Sequence, residues 1–217
     1  MIVAQVVGGK VPSCVYCGTS AIGPVTGVTT YTFTGVSTST AKSTRYFVVG
    51  LTTISPAIVS VTVDGISCTQ LVNPQPNPGP FFVRTEFWGV ALPVGTSSTV
   101  VVTISSSTNV RVGATFWSLY GLRSNTPYAT VTTASLPATL DITGQARGIV
   151  LGLAGNSQVS GTFTWTGATQ DYQTDQATNI MTRTGAHLTI APGVNPVPLS
   201  LAFSASPSQW AISAAWR

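Results

Sequence analysis

Arg45-Tyr46-Phe47-Val48-Val49-Gly50-Leu51 is a near-continuous apolar run carrying a pair of β-branched residues. It is too short for a helix of ordinary length, and the Val pair favours a pleated backbone. A little further on, Val59-Ser60-Val61-Thr62-Val63 alternates apolar and polar residues, the pattern of a strand with one buried face. Asp64-Gly65 comes next, and Ile66 resumes the apolar pattern. Asp and Gly tolerate positive φ better than most residues, so the segment reads as a hairpin closed by a type I′ turn. Similar short β-rich runs continue from 28–34 to 209–216, punctuated by Gly, Pro, Ser and Asn, and none shows helical spacing of any length. The expected fold is all-β: a two-sheet antiparallel β-sandwich resembling a jelly roll.

The opening run also has an echo. Arg147-Gly148-Ile149-Val150-Leu151-Gly152 answers Arg45–Gly50, and Thr164-Trp165-Thr166-Gly167 answers Thr62–Gly65. Ile180–Thr184 answers Phe82–Glu86, and the stretch from Phe203 to Trp216 answers the one from Ile104 to Trp117. Four blocks in one order, at a nearly constant offset of roughly a hundred residues, indicate an internal duplication. The pseudo-repeats cover about 45–120 and 147–217, each with four principal strands, within a single sandwich domain at 28–217. Residues 1–27 carry Gly8-Gly9, Pro12, Gly18, Gly23 and Pro24 and read as an extended N-terminal arm that rests on a neighbour.

Composition restricts the function. Only 6% of residues are charged, against roughly 25% in ordinary globular chains, and Ser and Thr supply roughly a quarter of the sequence instead. The formal charge of +4 comes from scattered Lys and Arg, with no basic stripe of the kind nucleic acid binding requires. No apolar run approaches the ~20 residues of a membrane helix, and Met1-Ile2-Val3-Ala4 lacks the basic start of a signal peptide. Synthesis in a cytoplasm, without membrane insertion, is the expectation. A surface this poor in charge repels its own copies weakly and suits dense packing beside identical neighbours.

The residues that carry chemistry are few. His187, the sole histidine, lies in a strand-like run with no Gly-x-Ser-x-Gly elbow anywhere in the chain. Asp171 and Asp175 are four residues apart. On one strand that is ~13 Å, beyond either glycosidase separation. Cys14-Val15-Tyr16-Cys17 has too few partners for a zinc site, and no phosphate loop is present. No catalytic, cofactor-binding or metal-binding residue is therefore expected, and no cofactor. The five tryptophans, Trp88, Trp117, Trp165, Trp210 and Trp216, read mainly as core. Cys14 and Cys17 are candidates for arm anchoring or an intermolecular cross-link, since three cysteines leave one odd. The proline-rich segment with Asn73, Pro74, Pro76, Asn77 and Pro78 is a candidate contact loop.

Several segments together resemble a known pattern. They are residues 43–51 (STRYFVVGL), 60–72 (SVTVDGISCTQLV), 84–105 (RTEFWGVALPVGTSSTVVVTIS) and 110–122 (VRVGATFWSLYGL). Residues 148–155 (GIVLGLAG), 162–173 (TFTWTGATQDYQ) and 211–217 (AISAAWR) continue it. The pattern is similar to a domain of tailed bacteriophages and prophages, especially those of alphaproteobacteria. The resemblance covers about 28–217 and implies a jelly-roll-like virion protein without catalytic residues, decorating the head or forming part of a head or tail appendage. Its implied partners are other virion proteins and copies of itself. The alternative is a tail module that binds a receptor or a host surface glycan.

Overall fold

A computed structural model describes residues 11–54, 57–72, 83–107, 110–133, 138–140, 147–157, 161–176, 181–191, 199–203 and 209–217. The proline-rich contact-loop candidates, Asn73, Pro74, Pro76, Asn77 and Pro78, lie outside them. The first half of the chain forms β1 (Ser13–Val25), β2 (Thr30–Ser37), β3 (Tyr46–Ile54), β4 (Ile58–Val63), β5 (Ile66–Ser67), β6 (Thr69–Val72), β7 (Val83–Ala91), β8 (Ser97–Ile104) and β9 (Val110–Tyr120). The second half forms β10 (Ala129–Thr133), β11 (Ala138–Leu140), β12 (Ile149–Asn156), β13 (Phe163–Thr166), β14 (Thr169–Gln176), β15 (Met181–Thr189), β16 (Leu199–Phe203) and β17 (Gln209–Trp216). Every pairing among the described strands is antiparallel.

The fold is an all-β antiparallel sandwich, and the duplication extends to its topology. One sheet runs β1-β9-β3-β7-β6 and its counterpart runs β10-β17-β12-β15-β14. A second pair runs β2-β8-β4-β5 and β11-β16-β13. Apart from β5, which has no counterpart among the described strands, the second half repeats the order of the first. The Asp64-Gly65 turn joins β4 to β5 with φ of 48° and 80°, as the hairpin reading requires.

The layers number four rather than two. Phe47, Val49, Trp88, Val100 and Phe116 belong to a core between the first half's two sheets. Val150, Phe163, Trp165, Leu201 and Ala215 belong to the matching core of the second half. A third core lies between the two five-stranded sheets and holds Val48, Phe87, Trp117, Leu151, Ile212 and Trp216. Each half is thus a sandwich of its own, and the sandwiches meet back to back through their inner sheets. The burial patterns follow from this stacking. β3 and β12, covered on both faces, are buried throughout, whereas β8 alternates.

Pairing also corrects the register of the repeat. Val48 lies opposite Trp117, and Ile149 lies opposite Trp216. With the two tryptophans equivalent, Val48 answers Ile149, one residue away from the match suggested by the sequence. The slip has a physical meaning, because a one-residue shift exchanges the faces of a strand. Val48 and Ile149 share the seam between inner sheets, whereas Phe47 faces its own sandwich core.

Residues 1–27 were expected to form an arm lying on a neighbour. From Ser13 to Val25 they instead form β1, an edge strand zipped along β9 of the same chain. Gly18, Gly23 and Pro24, among the residues that suggested an arm, fall where an edge strand accepts them. The register shifts between Tyr16 and Gly18, where Gly18 has φ +121°, and again between Ile22 and Val25. β1 and β2 stand to the first repeat as β10 and β11 do to the second.

The seam depends on missing side chains. A Cβ at Gly113 would lie 2.7 Å from Arg183 Cδ and 2.9 Å from its Nε. One at Gly185 would lie 2.6 Å from the Tyr172 ring and 2.9 Å from the Trp117 ring. Gly113→Ala should therefore lower the unfolding free energy by about 1–3 kcal/mol through overpacking. The loss should be much smaller in an Arg183→Met background. A double-mutant cycle from denaturant melts measures the difference, and strictly additive losses would show that the two residues do not compete for space.

Candidate functional site

A polar network lies where β1 of the first repeat crosses β14 and β15 of the second. It is organised by a bulge. In the pairing of β14 with β15, Gln170 faces Ala186 and Tyr172 faces Gly185, so Asp171 is the extra residue. A bulge re-aims side chains, and here Asp171 and the adjacent Tyr172 both reach the first repeat. Trp117 Nε1 donates to Asp171 Oδ2 at 2.8 Å, and the Tyr172 and Thr115 hydroxyls are 2.6 Å apart. His187 Nδ1 lies 2.6 Å from Asp171 Oδ1. A carboxylate only accepts, so Nδ1 carries the hydrogen of this bond.

Aromatic and cationic contacts close the network. Tyr16 on β1 stacks on Tyr172, with centroids 6.1 Å apart and planes 10° from parallel. The Arg183 guanidinium sits 5.5 Å from the centroid of the Tyr172 ring, and its Nη1 donates to Ala114 O at 3.1 Å. Burial pushes the Arg183 pKa down and the Tyr172 pKa up, while the pairing of the two opposes both shifts. Burial also raises the Tyr16 hydroxyl to about 12. Chemically, this site is a clamp between repeats. Asp171, whose side chain is 3% exposed, has each oxygen engaged by a different partner.

The remaining described carboxylates are also bound to neighbours. Asp64 Oδ1 accepts from Thr99 N at 2.7 Å, and Asp175 Oδ1 accepts from the Thr182 hydroxyl at 2.6 Å. Asp171 and Asp175 thus serve separate partners. Glu86, 1% exposed, accepts from Gln70 Nε2 and Trp88 Nε1, each at 2.9 Å, with Arg84 Nε at 3.7 Å. Arg45, 1% exposed, is held by backbone carbonyls. It donates to Thr38, Ser39, Leu92, Val94 and Gly95, stitching two loops at one end of the first sandwich. Nothing in the sequence marked Arg45 for this task beyond its position at the start of a strand.

The cysteines pack inside their own chain. Cys14 lies against the core between the inner sheets and Cys17 against the first sandwich core, so they serve opposite faces of β1. Burial raises the pKa of each, that of Cys14 well above the ordinary thiol value, and Cys68 is pushed up to about 12. The thiols proposed for arm anchoring or cross-linking therefore belong to an integrated strand. Among the described residues, no three His, Cys, Asp or Glu side chains gather as metal ligands. All five tryptophans are buried, none more than 8% exposed, in agreement with the core reading.

A groove of about 480 Å3 lies elsewhere, between β1 and β2 on the flank of the first sandwich. Ser20, Ile22, Phe33, Thr34, Ser37 and Phe116 are among its lining residues, and Cys17 also borders it. Sequence reasoning missed it because it assigned half of this groove to an arm. Comparison with protein-family models, with curated proteins and with solved structures finds no match to this chain.

Glu86 gives a pH test. Desolvation raises its pKa against the opposing hydrogen bonds of Trp88 and Gln70. The native state then holds the proton to higher pH than the unfolded state does. Its contribution is fully present below the unfolded pKa and is lost as pH rises through the folded pKa. Glu86→Gln should flatten the fall in stability across that window, measured by urea melts at stepped pH from 4 upward. An unchanged pH profile would show that Glu86 does not titrate differently on folding.

Proposed function

We propose that this chain is a non-catalytic structural protein of a bacteriophage particle, decorating or stabilising the capsid or forming a short head or tail appendage. The observation carrying this reading is where the reactive side chains go. His187, Asp171, Asp64, Asp175 and Glu86 are each engaged in bonds that hold strands or repeats together. Four layers joined by a buried polar clamp make a body whose parts are fixed relative to one another. Its poverty of charge suits close packing among copies and other particle proteins, and the sequence resemblance points the same way.

The test is to locate the chain on purified phage particles by quantitative mass spectrometry and electron cryomicroscopy. A fixed copy number is expected, set by the capsid lattice for a decoration or by one vertex for an appendage. Recovery only as a soluble monomer, never with particles, would defeat the proposal. The second reading is a tail module that binds a host surface glycan. The groove between β1 and β2 favours it.

A further inference from the structure

We infer that the groove between β1 and β2 binds a neutral oligosaccharide, one per chain. The inference rests on the second reading and supplies its site. The groove opens where the edge strands of two facing sheets, β1 and β2, run past each other, with no outer neighbour among the described residues. At about 480 Å3 it falls in the ~300–1,000 Å3 range of small-molecule sites.

Its lining selects the ligand class. No charged side chain is among the lining residues. A phosphate, a nucleic acid or a charged peptide would meet no counter-charge there. An extended uncharged peptide, added as a further strand, meets a second obstacle. The register shifts between Tyr16 and Gly18 on β1 and between Phe33 and Val36 on β2, with Gly18 at φ +121° and Gly35 at φ +67°. Both edges are thus bulged beside the groove, which interrupts the regular row of backbone groups that an added strand needs.

What the groove offers instead is Ser and Thr hydroxyls over an uncharged floor. Phe33 and Phe116, 4% and 2% exposed, meet edge to face in the core beneath it. Each hydroxyl both donates and accepts, which matches the hydroxyls of a sugar. The counterpart strands of the second repeat are β10, five residues against thirteen in β1, and β11, three against eight in β2. Neither shows a register shift. Among the described residues, the second repeat has no long bulged edges of the kind that frame this groove, which sets the stoichiometry at one.

The test is titration of the full 15N-labelled chain with neutral gluco-, manno- and galacto-oligosaccharides, using sialylated and sulfated oligosaccharides as charged controls. At least one neutral sugar should shift the amides of Ser20, Thr34 and Ser37, saturate at one site, and bind equally at low and high salt. Ser20→Tyr, which fills the groove, should weaken binding at least about tenfold while the unfolding midpoint holds. If that variant does not fold, Thr34→Arg at the exposed rim should give the same loss. Three outcomes would overturn the inference: no shift across the panel, shifts confined to another surface, or a salt-dependent preference for the charged controls. Failure here with the chain still found on particles would remove the sugar site and leave the structural role standing.

Discussion

The architecture depends on the fit of a few large side chains into gaps between two inner sheets. Trp117 and Arg183 are the main ones, fully buried in a layer whose neighbours include Gly50, Gly113 and Gly185. Facing sheets ordinarily sit ~10 Å apart, filled from both sides by interdigitating residues. An indole or a guanidinium fits that space only where the opposing position lacks a side chain. Glycines supply the gaps, and each gap admits one particular partner. The seam therefore fixes register as well as cohesion. Trp117 placed against Gly185 brings its Nε1 to Asp171, and Arg183 placed against Gly113 brings its Nη1 to Ala114 O. The polar clamp follows from the packing.

Much of this was legible in the sequence, because β structure writes itself as a period of two. Val59–Val63 and Asp64-Gly65 gave a strand and its turn from local chemistry alone. The duplication was legible too, since Trp117 and Trp216 occupy matching places in matching strands. The layer count escaped a two-sheet reading even though its signal was present. Arg45–Leu51 and Ile149–Leu153 are apolar at nearly every position, while Val59–Val63 alternates. Strands buried on one face must alternate, and strands buried on both need not. Runs of the two kinds side by side call for inner and outer sheets in each half.

The rest depended on geometry that composition does not carry. The bulge at Asp171 turns two consecutive residues toward the same neighbour, and nothing in Thr169-Gln170-Asp171-Tyr172-Gln173 announces it. β1 was hidden for a related reason. Gly and Pro argue against a central strand, but an edge strand has one side free of ladder bonds and absorbs them at bulges. Its partner β9 lies some hundred residues away, and a pairing at that distance leaves no local trace.

The distribution of charge links this interior to the surface. The chain is only 6% charged, yet it places Arg45, Glu86, Arg111 and Arg183 in the buried class, and the Asp171 side chain is nearly enclosed. Folding thus removes a good share of an already small set of charges from the surface. Few charges remain outside. Such a surface generates weak long-range fields, so approach by another copy meets little repulsion and little steering. Contacts made on it must rely on shape, hydroxyl hydrogen bonds and the character of the exposed edges. Those edges differ between the repeats: long and bulged at β1, short and regular at β10. Two halves with one topology therefore present different flanks, a long bulged edge on one and a short regular edge on the other.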